Sequence, residues 1–139
     1  MAKTGKCLCG SVSFTAVPEN NEVGVCHCTM CRKQNAGPYF AIGCGDTLSF
    51  ADETNVGVYN SSEWGQRGFC KTCGSTLFWR MADKSMNVVP VDLFDDLGEL
   101  LLYREIFIDE RATYYDFKQD TQKMTGAEVM AMFAGEGNT

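Results

Sequence analysis

The sequence predicts an all-β fold on three observations. Short runs rich in β-branched and aromatic residues, some of them alternating apolar and polar side chains, recur along the chain. Turn-forming stretches such as PENN, ADETN and FDDLG separate these runs, and 14 glycines are scattered between them. The chain shows no solenoid repeat, low-complexity tract or Pro/Ser linker, so we expect one domain over residues 1–139.

The predicted elements follow in chain order. The strand pattern occurs at residues 11–17, 39–42, 47–50, 56–59, 76–80, 86–91 and 100–108. Residues 29–35 are expected to form one or two helical turns directly after a cluster of three cysteines. A second helix is expected at about 125–134, because Thr125 at the N-cap and Glu128 three residues later form a capping box.

The net charge, the N-terminal stretch and the cysteine count exclude several classes of function. A net charge of −6 argues against a non-specific nucleic-acid binder, which needs a basic surface to neutralise phosphates. The N-terminal stretch MAKTGKCLCGSVSF lacks the apolar run of a signal peptide, and no segment is long and apolar enough to span a membrane. We therefore expect a cytoplasmic protein, whose eight cysteines serve as metal ligands or catalytic thiols rather than disulfides.

Two short motifs, CLCG and FCKTCG, are typical of zinc knuckles. The glycine after each second cysteine permits a positive φ, so that backbone N–H groups can turn toward the sulfurs. Neither pair can close a tetrahedral site alone. The simplest interpretation is one structural Zn²⁺ held by Cys7, Cys9, Cys70 and Cys73, and the alternative is that one pair is a redox-active or merely buried thiol pair.

A third motif, CHCTMC, places Cys26, Cys28 and Cys31 around the only histidine, His27. On an extended strand, Cys26 and Cys28 face one side and His27 faces the other, while Cys31 can turn back to the same ion. The expected result is a zinc with three thiolate ligands and one open position, as in catalytic zinc sites. Closure by His27 or by the isolated Cys44, or a site without metal, are the alternatives.

Such a site would suit sulfur chemistry. An open zinc can bind a substrate thiol, remove its proton and hold it as the nucleophilic thiolate near neutral pH. Addition of a thiol to a carbonyl, or the reverse carbon–sulfur cleavage, is thus favoured over hydrolysis. His27 is a candidate general base if its ring reaches the site, although the extended geometry points it away.

The blocks GKCLCGSVSF, VCHCTMCRKQNAG and GFCKTCGSTLFW, in this order, resemble the glutathione-dependent formaldehyde-activating enzyme family, which includes centromere protein V-like proteins. They cover roughly residues 5–80, and FIDERATYYDF resembles the family's C-terminal strand more loosely. The resemblance implies a tent-like fold of stacked antiparallel sheets around zinc. It also implies a structural zinc at Cys7, Cys9, Cys70 and Cys73 and a catalytic zinc at Cys26, Cys28 and Cys31.

The family's namesake reaction joins glutathione to formaldehyde and is classed as that of a carbon–sulfur lyase. The resemblance thus implies a small thiol and an aldehyde as substrates, and it leaves the oligomeric state open. Glutathione carries two carboxylates, and Arg32, Lys33 and Arg111 are the candidate cations for them. The competing hypothesis is a non-catalytic zinc-binding module that docks a protein partner through exposed aromatic residues, with candidates Trp64, Trp79, Tyr114 and Tyr115.

Overall fold

The computed structural model describes residues 1–137 and is mostly β. The strands, in chain order, are β1 Lys3–Lys6, β2 Ser13–Ala16, β3 Glu22–Cys26, β4 Tyr39–Gly43, β5 Ser49–Phe50, β6 Val56–Asn60, β7 Gly65–Cys70, β8 Thr76–Met81, β9 Asn87–Pro90, β10 Leu101–Ile106 and β11 Gln122–Met124. The helices are α1 Thr29–Asn35 and α2 Gly126–Gly137, and 3-10 turns lie at Val91–Leu93 and Ile108–Glu110.

The chain divides into two compact units, each built from two separate segments. The first unit comprises Met1–Asn21 and Ala41–Leu100, and the second comprises Glu22–Phe40 and the chain from Leu101 onward. The all-β class with two short helices is confirmed, whereas the single domain over 1–139 stays a prediction. No helix in residues 1–137 has the length and apolar character needed to cross a membrane.

The first unit is antiparallel throughout. One sheet has the order β1-β2-β5, and the strands of the other follow the order β4-β9-β8-β7-β6. Two apolar clusters fill this unit. One is built around Phe14, Ile42, Cys44, Val89 and Phe94, and the other around Cys7, Val12, Cys70, Leu77 and Phe78. The second cluster contains two of the predicted zinc ligands, so those thiols lie against the apolar core.

The second unit departs from the antiparallel pairing expected from the family resemblance. Its strands have the order β11-β10-β3, and both pairs are parallel. No hairpin connects them: residues 27–100 separate β3 from β10, and residues 107–121 separate β10 from β11. Connections of this length allow a strand to return in the same direction, so the pairing is not dictated by a tight turn.

All seven predicted strand segments contain a strand, but β1, β3, β7 and β11 were not among them. Strand β7, with the sequence GQRGFC, lacks the β-branched residues that signal a strand. Its Gly68 is covered by the Phe78 ring, and a Cβ at that position would lie 2.1 Å from a ring carbon. Neighbouring aromatic packing therefore supports a strand that its own sequence does not predict.

The predicted helices are both present. Helix α1 has the predicted bounds, and α2 begins at the expected capping box: Glu128 N donates to Thr125 Oγ1 at 3.2 Å, and Thr125 N donates to Glu128 Oε1 at 2.9 Å. Helix α2 continues to Gly137, beyond the predicted end at residue 134. Glycine disfavours a helix by only about 1 kcal/mol relative to alanine, so Gly135 does not by itself end it.

Candidate metal centres

The sulfur atoms of Cys7, Cys9, Cys70 and Cys73 converge in the first unit. All four lie within 4.8 Å of one another, and Cys9 Sγ is 3.6 Å from Cys7 Sγ and 3.8 Å from Cys70 Sγ. A tetrahedral ion with zinc–sulfur bonds of 2.3 Å separates its sulfurs by about 3.8 Å. The four thiols therefore fit a four-coordinate metal ion with no position left for another ligand.

Two glycine turns build this group. Gly10 and Gly74 adopt φ values of 81° and 79°, in the left-handed region that glycine tolerates without strain. In the second turn, Cys73 N donates to Cys70 Sγ at 3.4 Å. In the first, Val12 N donates to Cys7 Sγ at 3.4 Å. The backbone N–H groups thus turn toward the sulfurs, as the glycine positions predict.

Hydroxyl groups surround the same sulfurs. Ser11 Oγ lies 3.0 Å from Cys9 Sγ and 3.3 Å from Cys70 Sγ, and it accepts a hydrogen bond of 2.8 Å from Asn55 Nδ2. Because Asn55 uses the oxygen as an acceptor, the Ser11 hydroxyl proton can be donated to sulfur. This hydrogen bond lowers the pKa of Cys70.

Ser75 plays the corresponding part in the other turn. Its Oγ lies 3.2 Å from Cys73 Sγ and accepts the backbone N–H of Leu8 at 3.0 Å. The hydrogen bonds from Ser75 lower the pKa of Cys73 to about 5, which favours the thiolate that a metal requires. These serines were missed from the sequence, although the triplet Cys-Gly-Ser occurs at both 9–11 and 73–75 and could have indicated them.

The second cysteine group lies in the second unit, where β3 passes into α1. Cys26 ends the strand, Cys28 is the N-cap of α1, and Cys28 Sγ accepts the Cys31 backbone N–H at 3.3 Å. The sulfurs of Cys26, Cys28 and Cys31 lie within 4.8 Å of one another. In the part of the chain that the structure describes, no ligand atom of another His, Cys, Asp or Glu joins them.

The electrostatics of this group favour a cation. The adjacent Cys28 and Cys31 thiols, followed by burial, raise the pKa of Cys26 well above its ordinary value. Three thiols so close together cannot all lose their protons unless a positive charge compensates them. The donor set and its spacing therefore fit a thiophilic metal ion such as zinc, bound through three protein ligands.

His27 does not contribute a ligand to this group. The ring is completely buried, its Nε2 lies 2.8 Å from Glu105 Oε1, and its Nδ1 lies 3.1 Å from the hydroxyl of Tyr115. A carboxylate only accepts hydrogen bonds, so Nε2 carries the proton and Nδ1 can accept from Tyr115. Both ring nitrogens are therefore engaged in hydrogen bonds, and His27 is not the fourth ligand of the second cysteine group.

Glu105 is the partner that sequence reasoning missed. It lies on β10 opposite Val25 of β3, is 1% exposed, and accepts a further hydrogen bond from Thr121 Oγ1. Lys123 Nζ approaches the same carboxylate at 3.8 Å. A buried carboxylate needs such hydrogen-bond partners. The pair of Glu105 and His27 connects β10 to the end of β3, next to Cys26 and Cys28.

Cys44 belongs to neither group. It is completely buried in the apolar cluster of the first unit, where its thiol donates toward the Ile42 carbonyl at 3.7 Å. Burial raises the pKa of Cys44 to about 12, so this residue stays a neutral thiol. It behaves as a small apolar side chain rather than as the fourth ligand considered from the sequence.

The three candidate cations have different surroundings. Arg111 Nη1 donates to the Tyr115 carbonyl and to Asp116 Oδ1 at 3.2 Å, so its charge is used within its own loop. Arg32 Nη1 donates to the Glu110 carbonyl at 2.9 Å, and Lys33 is exposed on α1. Arg32 and Lys33 therefore remain the candidates for an anionic ligand.

The four aromatic residues considered for docking a partner also differ in their exposure and contacts. Tyr115 contacts His27, and Trp79 packs edge to face on Trp64 with the ring centroids 5.7 Å apart. Trp64 and Tyr114 are exposed, Tyr114 by 80% of its surface. Single exposed aromatics are normal on protein surfaces and do not by themselves indicate a partner.

Comparison with known proteins gives a consistent result. A family model described as glutathione-dependent formaldehyde-activating enzyme matches residues 2–110. An uncharacterized lyase of Schizosaccharomyces pombe is 33% identical over 127 residues, which cover 91% of this chain and 93% of that protein. A protein of Halomonas elongata, provisionally named a glutathione-dependent formaldehyde-activating enzyme, is 33% identical over an 87-residue match, and the coverage is 56% of this chain and 55% of that protein.

A solved structure supports the fold alone. The crystal structure of a Rhodobacter sphaeroides protein from Northeast Structural Genomics superimposes with a TM-score of 0.59 at 21% identity. The match covers 70% of this chain and 96% of that one.

Proposed function

The chain belongs to the glutathione-dependent formaldehyde-activating enzyme family, and on that premise we propose that it is a carbon–sulfur lyase-type enzyme. Its reaction joins a small thiol, glutathione or a close relative, to formaldehyde or a related aldehyde. The observation that carries the proposal is the group of Cys26, Cys28 and Cys31, three converging thiols with no fourth protein ligand in the described chain. A separate, closed group of four thiols leaves this open group available for chemistry.

We assign a structural zinc to Cys7, Cys9, Cys70 and Cys73, and a catalytic zinc to Cys26, Cys28 and Cys31. When bound at the second group, zinc supplies a position at which a substrate thiol loses its proton near neutral pH. The first group fits a closed tetrahedron, so its contribution is to stability.

The residues around the second group hold its geometry. Helix α1 fixes Cys28 and Cys31 through the N-cap hydrogen bond, and the buried pair of His27 and Glu105 fixes the strand end between Cys26 and Cys28. Cys26 is only partly buried, whereas Cys28 and Cys31 are buried. We therefore expect a substrate thiol to approach the group from the side of Cys26.

The reaction balances without an oxidant or reductant. The substrate sulfur forms a bond to the aldehyde carbon, the carbonyl oxygen becomes a hydroxyl, and the proton lost by the thiol is the one gained by that oxygen. The reverse reaction breaks the same carbon–sulfur bond, which agrees with the lyase name of the fission yeast relative.

Replacing Cys28 by serine tests this proposal. The variant should lose the metal of the second group and slow thiol–aldehyde addition roughly 100-fold or more, since removing even a group that supports a metal ligand typically costs 10–100-fold. Exchange NMR with isotopically labelled formaldehyde and glutathione measures the rate above the uncatalysed background. The matched control is Cys44→Ala, a buried cysteine outside both groups, which should keep both metal and rate. If Cys28→Ser retained the metal and the rate of the unaltered protein, the proposal would be abandoned.

A further inference from the structure

A pocket of about 290 Å³ opens beside helix α1, lined by Thr29, Arg32, Lys33, Ala36, Gly37 and Tyr114. The three helical residues, Thr29, Arg32 and Lys33, are spaced at i, i+3 and i+4, so they lie on one face of the helix, and Ala36 is its C-cap. Every lining residue belongs to the second unit, as do the three cysteines of the open group.

The pocket begins next to the open cysteine group. Thr29 directly follows Cys28, and Arg32 directly follows Cys31, so the Cα atom of each of these two pocket residues is about 3.8 Å from that of a cysteine. Successive helical residues are rotated by about 100° around the axis, so Arg32 lies on the helix surface next to Cys31, the one cysteine of the group within α1. A peptide-sized thiol spans about 3.3–3.6 Å per residue when extended, so its carboxylates lie several ångströms from its sulfur.

The charge of the pocket contrasts with that of the chain. The protein carries a net charge of −6, yet the pocket walls include two cations and, among the described residues that line it, no acid. Arg32 is held by its hydrogen bond to the Glu110 carbonyl and keeps further guanidinium N–H groups for a ligand. The nearby Glu110 carboxylate accepts a hydrogen bond from the Thr29 backbone N–H at 2.9 Å. This hydrogen bond keeps the carboxylate at the first turn of α1.

We propose that this pocket binds a carboxylate of the thiol substrate, through Lys33 and Arg32, and thereby selects anionic thiols over neutral ones. The inference rests on the proposed function, because it assigns residues to the binding of that function's thiol substrate. Arg111, the other candidate cation, does not line this pocket and donates to the Asp116 carboxylate instead. Lys33 is a specificity-determining residue in this assignment and takes no part in the bond-forming step.

The test measures binding separately from turnover. S-methylglutathione retains both carboxylates but has a blocked thiol, and its diethyl ester lacks the two negative charges. Calorimetric titration should show that Lys33→Gln weakens binding of S-methylglutathione about 10-fold and leaves binding of the ester unchanged, because one charge-assisted contact is lost. Lys33→Arg should keep the affinity. The matched control is Lys118→Gln, an exposed lysine of the same unit that does not line the pocket.

Two outcomes would overturn the assignment: an unchanged affinity of Lys33→Gln for S-methylglutathione, or an equal loss for the acid and its ester. Failure of the unaltered protein to bind S-methylglutathione at millimolar concentration would overturn it as well. The function is tested separately by thiol–aldehyde exchange in the unaltered protein. A chain that binds S-methylglutathione through Lys33 but does not accelerate the exchange would support the pocket and contradict the enzyme.

Discussion

Cys70→Ser is expected to remove one metal ion per chain and to destabilise the protein by about 4 kcal/mol or more. Cys70 is 1% exposed, its sulfur lies 3.8 Å from Cys9 Sγ, and it accepts hydrogen bonds from Cys73 N and Ser11. Structural zinc sites contribute about 10–16 kcal/mol of apparent binding free energy to small domains, so losing one ligand consumes much of the net stability.

Metal analysis and thermal unfolding of the variant give the two readouts. For a chain of this size, a loss of about 4 kcal/mol should lower Tm by roughly 10–20 °C. Cys44→Ala is the control, because it removes a completely buried sulfur from the same unit and should cost only about 1–2 kcal/mol with the metal retained. A Cys70→Ser protein with full metal content and an unchanged Tm would show that the four cysteines do not form a structural site.

Glu105→Ala is expected to have the second largest effect, a loss of about 3–5 kcal/mol in the free energy of unfolding. His27 and Glu105 are buried to 0% and 1% exposure, so removing the carboxylate leaves His27 Nε2 without its acceptor away from water. Because His27 stands between Cys26 and Cys28, the metal of the second group should also be released more easily. Denaturant unfolding and the rate of metal transfer to a chelator measure these two effects.

Glu105→Gln separates charge from shape. The amide keeps an oxygen that can accept from His27, so its expected cost is smaller, about 1–2 kcal/mol. Glu99→Ala removes an exposed carboxylate and should change stability by less than about 0.5 kcal/mol. If Glu105→Ala were as stable as Glu99→Ala, the buried pair would have no part in fixing the strand.

The cysteine groups could be recognised from the sequence because their information is local. In CLCG and FCKTCG, the spacing and the following glycine determine the turn, and Gly10 and Gly74 have the positive φ that those positions predict. The position of His27 could be deduced in part from strand alternation, which turns it away from Cys26 and Cys28. The capping box at Thr125 and Glu128 is local in the same way.

The features that the sequence did not indicate depend on contacts between residues far apart in the chain. Glu105 meets His27 only because β10 lies parallel to β3, and neither strand carries a signal for a partner so far along the chain. Strand β7 is supported by the packing of the Phe78 ring on Gly68, a tertiary contact that single-residue strand propensities do not describe. Ser11 and Ser75 are different: the repeated Cys-Gly-Ser triplet was visible, and its meaning became clear only once the hydroxyls were seen beside the sulfurs.

The most direct measurement is the ratio of zinc to protein in the chain purified under reducing conditions, followed by chelator challenge with and without excess glutathione. If one site is closed and the other open, the protein should contain two zinc ions per chain. The chelator should readily remove the zinc of the open site, and excess glutathione should slow that removal. One tightly held zinc per chain, released at the same rate whether or not glutathione is present, would show that the three-cysteine group is not an open thiol-binding metal site.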